Sequence, residues 1–281
     1  MLKVIKAGFY TTVQDLGRFG YRDKGVPVSG VMDVHSCRRT NVILGNAPNC
    51  SVLEITMTGP VLEFTADTYI AFGGANFNIS LNGKSVTNYK AYKIIKGDVV
   101  TYNSLIDGFR GYLAIKNGFK SDEVLGSQSY YKPITAIGNL KDNSSLAYDK
   151  ITNFDNLDVE YKSLNIIKNN TIKVFKGPEY EILNDSHLGQ IFFKNFSVAK
   201  ENNRMAFQLK ETIASHNSSI LTSATLPGTV QLTPAGKLII LMKDGQTTGG
   251  YPRILQLSEE SIAILAQKRT ADKLRFKLIN H

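Results

Sequence analysis

Short apolar, β-favouring runs separated by polar turn residues make up most of the chain, and this pattern predicts β-strands. Such runs lie at residues 61–65, 69–72, 79–81, 99–102, 112–115, 172–175 and 237–242. Asn82-Gly83, a strong hairpin signal, follows one of them. Many short strands separated by turn residues predict a sandwich or a barrel.

Two segments carry the start and stop signals of helices instead. In residues 33–44, Asp33 is a suitable N-cap and Gly45 follows the end. In residues 258–268, Ser258 is the N-cap, with acidic residues in the first turn and basic residues in the last. This charge order suits the helix dipole, so we predict a helix in each segment.

The chain also divides by pattern and by composition. Residues 139–170 are rich in Asn, Asp, Ser and Lys and interrupt the strand-like pattern, which is typical of a linker. Residues 51–53 and 62–65 have similar counterparts, equally spaced, at 219–221 and 230–233. We interpret this similarity as two related β-rich domains, residues 1–150 and 151–281.

Composition excludes several classes of protein. Of the 281 residues, 42% are hydrophobic and 20% are charged, which allows a packed core and excludes general disorder. The net charge of +9 comes without a dense basic run, so we expect a lysine-rich surface and no nucleic-acid partner.

The cysteines and the apolar segments bear on metal binding and on location. The two cysteines, Cys37 and Cys50, have no nearby histidine at ligand spacing, so no metal site is expected. No apolar segment has the length of a signal peptide or a transmembrane helix. We therefore expect a soluble cytoplasmic protein that does not bind a membrane.

The densest polar cluster lies at residues 243–253, directly after an apolar run. Its adjacent glycines allow a ligand to approach the backbone, and successive amides can bind an anion. Asp244 is a candidate acid, base or orienting group, and a surface turn without a ligand is the alternative. The candidate binding residues are Lys243, Gln246, Thr247, Thr248, Gly249, Gly250, Tyr251 and Pro252.

A second cluster, residues 11–21, contains Gln14, Asp15 and Arg18. These side chains suit an amide or a carboxylate ligand, which an arginine can bind through two hydrogen bonds. The alternative is a structural pair of Asp15 and Arg18 in a turn bounded by glycines.

Two further turns contain candidate binding residues. Ser29 and Gly30 precede the first predicted helix and can present amides to an anion, or simply cap that helix. Gly73 and Gly74 form a tight turn after a strand. The sequence has no GxxxxGK[ST], GxGxxG, HExxH or GxSxG motif, which argues against a self-sufficient nucleotidase or metalloenzyme.

Together these clusters resemble the biotin-dependent carboxyltransferase-like family. The resemblance rests on blocks that follow the order of the family along nearly the whole chain. They are TTVQDLGRFGY at 11–21, GVPVSGVMD at 25–33, Asn41 with Leu44-Gly45-Asn46, LEIT at 53–56, TGP at 58–60, VLGS at 124–127 and QTTGGYPRI at 246–254. Members include the KipI antagonist KipA, the C subunit of bacterial ATP-dependent 5-oxoprolinase, and the carboxyltransferase domain of urea carboxylase.

The resemblance implies a mainly β fold with a few helices, arranged as two tandem cyclophilin-like β-barrel domains. It implies two partners, which are the KipI-like B subunit of 5-oxoprolinase and its LamB/YcsF-type A subunit. The implied reaction is the opening of 5-oxo-L-proline to L-glutamate with ATP used by the complex. A KipA-like regulatory antagonist and a biotin-dependent carboxyltransferase acting on urea or allophanate are the alternatives. No Ala-Met-Lys-Met segment is present, so we expect no covalently attached biotin.

The resemblance also implies which residues act. Asp15 and Asp244 are the implied catalytic residues, orienting donors or moving protons. Matched positions add Asp33, Asn41, Glu54 and Arg204 to the binding residues. The chain departs from the family pattern at Ala206, Gln208, Gln128 and Asn139. We expect the polar loops of the two domains to meet at a common cleft.

Overall fold

The computed structural model describes residues 1–153 and 166–280, and they form two compact units. The first unit takes its described residues from Met1–Arg18 and Ser29–Ile167. The second takes them from Phe19–Val28 and from Lys168 onward. A short segment from early in the sequence is thus part of the second unit, which the sequence pattern did not indicate.

The first unit is built on a ten-stranded sheet with one helix. Its strands are β1 (Leu2–Lys6), β2 (Tyr10–Gln14), β3 (Val52–Thr56), β4 (Val61–Phe64), β5 (Thr68–Leu81), β6 (Lys84–Val86), β7 (Ala91–Ile94), β8 (Val99–Ile115), β9 (Phe119–Lys120) and β10 (Ser145–Tyr148). The main order is β2-β3-β8-β4-β1-β10-β9, and β5 pairs with β6, β7 and β8.

Alternation of side chains along these strands creates the core of the first unit. In β1, Leu2 and Val4 are buried while their neighbours are exposed. β5 and β8 are much longer than the short runs predicted, because register shifts let one pairing continue through irregular sequence.

The helix α1 (Val34–Ile43) of the first unit packs on β5 and β8. Asp33 is its N-cap and accepts hydrogen bonds from Ser36 N at 3.0 Å and Ser36 Oγ at 2.7 Å. The predicted helix and its cap are therefore confirmed. Burial raises the pKa of the Cys37 thiol on this helix, since no water reaches it to solvate a thiolate.

The second unit is a closed barrel. Its strands, in the order in which they pair around the barrel, are β11 (Thr171–Lys176), β18 (Arg253–Leu257), β15 (Thr229–Leu232), β16 (Lys237–Leu241), β13 (Ala206–Thr212), β12 (Phe196–Asn202) and β19 (Lys273–Leu278). Only β11 and β19 run parallel among these described strands. A separate ribbon pairs β14 (Ser223–Ala224) with β17 (Thr248–Gly249).

Helices cover parts of the second unit. They are α2 (Asp185–Phe193), α3 (Glu259–Ala266) and two 3-10 turns, Arg22–Lys24 and Tyr180–Ile182. Ser258 caps α3 by accepting from Ser261 N at 3.2 Å, as predicted. The sequence pattern missed α2, whose cap is the pair Asn184 and His187 rather than an acidic capping box.

The mainly β fold class, with a few helices and two barrel-like sheets, is confirmed. Two details of the prediction are wrong. Ser145–Tyr148 lies in the predicted linker but forms β10, because it completes the edge beside β1. Residues 219–221 form no strand, so their likeness to 51–53 is not a repeated element. The linker residues 154–165 lie outside the described residues. Within the described chain, no helix is long and apolar enough to cross a membrane.

Candidate functional site

The predicted site residues form one group in each unit. The first unit holds Gln14, Asp15, Arg18, Ser29, Gly30, Asp33, Asn41, Glu54, Gly73 and Gly74. The second holds Arg204, Lys243, Asp244, Gln246, Thr247, Thr248, Gly249, Gly250, Tyr251 and Pro252. Their meeting at one cleft stays a prediction.

Asp15 is the centre of a hydrogen-bond network in the first unit. Its Oδ1 accepts from Gly17 N at 2.8 Å and from the hydroxyls of Ser127 and Ser129, each at 2.6 Å. Its Oδ2 accepts from Gln128 N at 2.7 Å. Four donors therefore fix this carboxylate, and it holds the loop that follows β9 against the end of β2.

Arg18 donates hydrogen bonds to the same loop. Its Nη2 donates to Ser129 O at 2.6 Å and its Nε to Val124 O at 3.4 Å. Gln14 is buried at the end of β2 and donates to Tyr130 O at 3.1 Å. The QDLGR and VLGS blocks are thus two sides of one internal contact.

The turn at Ser29 and Gly30 packs directly on this contact. Both residues have positive φ, 55° and 79°. A Cβ at Gly30 would lie 2.6 Å from Gly17 N, so only glycine fits. Val31 N donates to Asp15 O at 2.8 Å. The buried Ser29 hydroxyl has no hydrogen-bond partner among the described residues.

Glu54 ties the segment before α1 to the sheet. Its Oε2 accepts from Met32 N at 2.7 Å and from Tyr112 Oη at 2.9 Å. Tyr112 Oη in turn accepts from Asp33 N at 2.8 Å. Arg110 Nε lies 3.9 Å from Glu54 Oε1, and both side chains are buried. Burial, and then the Glu54 charge, raise the pKa of Tyr112 well above its usual value, so it stays a neutral donor.

The remaining residues of the first group have packing contacts. Asn41 donates to Cys50 O at 2.8 Å and accepts from Asn46 at 3.1 Å. A Cβ at Gly73 would lie 2.0 Å from Thr40 Oγ1. Gly74 N donates to Tyr89 Oη at 3.0 Å. Gly73 therefore lets α1 approach β5 closely, whereas a Cβ at Gly74 would meet Arg110 O of β8 at 2.5 Å.

In the second unit, Arg204 and Asp244 form a buried ion pair. Arg204 Nε lies 2.8 Å from Asp244 Oδ2, and Nη2 lies 3.0 Å from Oδ1. Asp244 N also donates to Arg204 O at 2.8 Å. The contacts of Asp244 are those of a residue that joins the start of β13 to the end of β16. The neighbouring Lys243 is half-buried.

The glycine-rich loop after Asp244 extends into the β14–β17 ribbon. Thr225 is buried beneath it, donating its hydroxyl to Gln246 O at 2.5 Å and its N–H to Thr247 O at 3.0 Å. Thr248 pairs with Ala224. The loop is therefore held from below, while Gln246, Thr248, Gly250 and Tyr251 remain exposed to solvent and Pro252 is buried.

Two side-chain amides converge on Gly249. A Cβ there would lie 2.5 Å from Gln231 Nε2 and 2.8 Å from Gln246 Nε2. Gln231 is buried, and its Nε2 makes one long contact, 3.5 Å, to Tyr251 O. Sequence reasoning missed Gln231, which lies on β15. These amides place donors beside the glycine pair, as an anion or amide ligand requires.

Arg253, which follows the glycine-rich loop, is paired with Glu179. Arg253 Nη2 lies 2.6 Å from Glu179 Oε1, and Nε lies 2.9 Å from Oε2. Hydrogen bonding from Arg253 lowers the pKa of Glu179. The charges of Arg204 and Arg253 are thus both balanced internally.

Sequence reasoning also missed Arg22, which stands directly after the first motif. Its Nη2 donates to Thr225 O, beneath the glycine-rich loop. Burial lowers the pKa of this guanidinium. The position of Arg22 directly after Tyr21, the last residue of the first motif, was the one sequence signal for it. No neighbouring residue indicates that Phe19–Val28 belongs to the second unit.

The departures from the family pattern have structural contacts. Gln128 Nε2 donates to Phe119 O and Ser121 O, each at 3.1 Å. Gln208 pairs with Ile239 between β13 and β16. Asn139 donates to Leu140 O at 3.2 Å. The side chains of Gln128 and Asn139 thus contact the backbone of the chain itself.

Two other features bear on ligands. Over the described ranges, no group of three or more His, Cys, Asp or Glu is placed to hold a metal ion. A hollow of about 490 Å³ in the second unit lies apart from the predicted site residues. It is lined by Lys168, Asn169, Asn170, Thr171, Asn195, Lys273, Leu274 and Arg275.

Comparison with known proteins agrees with the sequence motifs. The family model of the carboxyltransferase domain, subdomain A and B, matches residues 24–278. The C subunit of 5-oxoprolinase from Escherichia coli (strain K12) is 32% identical over 283 residues, covering 98% of this chain and 90% of that protein.

Solved structures agree as well. The crystal structure of TTHA0988 matches with a TM-score of 0.88 and 25% identity over 98% of this chain and 56% of that one. The Kluyveromyces lactis urea carboxylase matches with a TM-score of 0.88 and 26% identity over 99% of this chain and 27% of that one. The chain thus spans about half of the first and about a quarter of the second. On these matches and this fold, the chain belongs to the family of carboxyltransferase domains, subdomain A and B.

Proposed function

We propose that this chain is the C subunit of an ATP-dependent 5-oxoprolinase, which opens 5-oxo-L-proline to L-glutamate. The observation that carries the proposal is the end-to-end match to the E. coli C subunit, over 98% of this chain and 90% of that protein. The urea carboxylase structure, by contrast, is matched over only 27% of its length.

The chemistry requires a site of the kind described in the second unit. A lactam resists hydrolysis, so its carbonyl oxygen is activated, here with ATP, before water attacks the carbon. The chain then has to bind the lactam, orient it and shield it from bulk water. The amides of Gln231 and Gln246 beside Gly249 supply neutral donors for such a ligand.

The partners in this proposal are the KipI-like B subunit of the oxoprolinase and its LamB/YcsF-type A subunit. ATP is used by the complex, and the chain carries no covalent biotin. Described cations around the glycine-rich loop are largely balanced by acids, so the loop suits the substrate better than a triphosphate. Cys37 and Cys50 are free thiols, which suits the reducing cytoplasm.

A second candidate is a biotin-dependent carboxyltransferase, supported by the TM-score of 0.88 with the K. lactis urea carboxylase. In that case the glycine-rich loop takes a biotin carried by a partner. A KipA-like antagonist that binds a KipI-like protein without turnover is the third reading.

Reconstitution separates these candidates. The chain is mixed with its cognate KipI-like and LamB/YcsF-type partners, and glutamate formation from 5-oxoproline is measured with and without ATP. ATP-dependent glutamate that needs this chain supports the proposal. Binding to the KipI-like partner without turnover supports the antagonist, and activity that needs a biotinylated partner supports the carboxyltransferase.

A further inference from the structure

Arg22 lies against the glycine-rich loop of the second unit although it is distant in sequence. Its Nη2 donates to the carbonyl of Thr225, and Thr225 holds both Gln246 and Thr247 through its hydroxyl and its N–H. Thr225 therefore connects the Arg22 guanidinium to the backbone of Gln246 and Thr247, in the loop that carries the predicted ligand donors.

Arg22 has no counter-ion in the part of the chain that the structure describes. No carboxylate there lies within ion-pair distance, and Nη1 is shielded from solvent without a hydrogen-bond acceptor. A buried, unsatisfied donor costs about 1–3 kcal/mol, and more when it is charged. The neighbouring arginines differ, since Asp244 satisfies Arg204 and Glu179 satisfies Arg253.

At the loop beside Arg22, two side-chain amides have N–H donors that make few hydrogen bonds or none. Gln231 Nε2 makes only the 3.5 Å contact to Tyr251 O, although the side chain is buried. The exposed side chain of Gln246 makes no hydrogen bond to any described residue. The Arg22 guanidinium and the carboxamides of Gln231 and Gln246 therefore all lie next to the backbone of this loop or to Thr225, which supports it.

We propose that Arg22 is a specificity-determining residue that binds the carboxylate of a small lactam acid at this loop. A single unbalanced positive charge matches a carboxylate, whereas a phosphate group would bring nearly two negative charges. Guanidinium and carboxylate form strong charge-assisted hydrogen bonds. The assignment rests on the proposed function for the identity of the acid. Binding gives Nη1 its acceptor.

The test compares two lactams that differ only in the carboxylate, 5-oxo-L-proline and 2-pyrrolidinone, by titration calorimetry with the full chain. Wild type is expected to bind 5-oxoproline at least about ten-fold more tightly than pyrrolidinone, the scale of one good charged hydrogen bond. In Arg22→Gln this ratio falls to about one. Lys24→Gln removes the same charge from an exposed position on the same short turn and leaves the ratio unchanged.

Other outcomes overturn the assignment. They are an undiminished ratio in Arg22→Gln, no preference in wild type, or Arg22-dependent binding of inorganic phosphate tighter than that of 5-oxoproline. If Arg22→Gln does not fold, as judged by circular dichroism, Arg22→Lys takes its place. It keeps the charge but loses the planar fork, and we expect an intermediate ratio.

The reconstituted complex keeps the two proposals apart. If wild-type complex makes no glutamate, the proposed function fails, whatever the calorimetry shows. If it does make glutamate, Arg22→Gln is expected to raise the KM for 5-oxoproline about ten-fold or more with a smaller change in kcat. An unchanged KM removes Arg22 from the site and leaves the proposed function standing.

Discussion

Arg204 and Asp244 hold each other through two parallel hydrogen bonds, 2.8 and 3.0 Å long, with both side chains more than nine-tenths buried. Such a pair is costly to break, because the partner left behind is an uncompensated charge in a poorly solvated place. The geometry makes Asp244 a positioning residue for the loop that follows it. A catalytic role has to be tested against this structural one.

Replacing Asp244 by alanine is therefore expected to lower the free energy of unfolding by about 3–5 kcal/mol. Urea unfolding followed by circular dichroism measures this change. The double variant Arg204→Leu/Asp244→Leu removes both charges and is expected to recover most of the loss. A stable Asp244→Ala that makes no glutamate in the complex would instead support a direct role in the chemistry.

Asp15 is expected to stabilise the loop at residues 124–129. Asp15→Ala leaves four donors without their acceptor, and we expect a loss of about 1–3 kcal/mol for the most buried of them. Hydrogen exchange of the Gln128 amide should speed up markedly. Asp149→Asn, at an exposed ion pair with Lys120, serves as the control and is expected to change neither quantity. Unchanged protection of Gln128 in Asp15→Ala would contradict the network.

Local signals were enough to predict the capped helices. Asp33 and Ser258 each accept a hydrogen bond from the backbone amide three residues later, so the cap can be predicted from adjacent sequence. The strand runs were also visible, because short β-favouring apolar segments bounded by turn residues are a local signal. Pairing that continues through bulges cannot be read this way, which is why β5 and β8 exceed their predicted lengths.

The contacts of the site depend on pairs far apart in sequence. Ser127 and Asp15 are 112 positions apart, and Arg22 and Thr225 are 203 apart. The sequence showed that these motifs are chemically unusual, but not which residues they contact. The sequence does not show, for example, that Arg18 contacts the carbonyl of Ser129 or that Arg253 pairs with Glu179.

The pair of Glu179 and Arg253 predicts a dependence of stability on pH. Hydrogen bonding from Arg253 lowers the pKa of Glu179 below its ordinary value of 4.5. The stabilisation of the folded state by this pair is therefore complete above pH 4.5. It is lost as the pH falls through the lower pKa that Glu179 has in the folded state.

Unfolding in urea between about pH 6 and pH 3 measures this loss, expected to be on the order of 1 kcal/mol. In Glu179→Gln, the free energy of unfolding should fall less with acidification than it does in wild type. Glu181→Gln changes an exposed acid on the same short 3-10 turn, whose side chain is 84% exposed, and should leave the curve unchanged. If the free energy of unfolding fell equally with pH in wild type and in Glu179→Gln, the pH dependence could not be assigned to the pair of Glu179 and Arg253.

Gly73 tests whether the glycine pair of the first unit serves packing. A Cβ there would lie 2.0 Å from Thr40 Oγ1 and 3.0 Å from the Tyr89 ring, so Gly73→Ala must displace the Thr40 hydroxyl or push α1 away from β5. We expect a loss of about 1–3 kcal/mol in the free energy of unfolding. Gly189→Ala on α2 is the matched control, because nothing lies within 4 Å of its new methyl group. In a helix that change should stabilise the protein by up to about 1 kcal/mol. If Gly73→Ala proved as stable as wild type yet impaired substrate binding, the glycine would be serving a ligand rather than the helix.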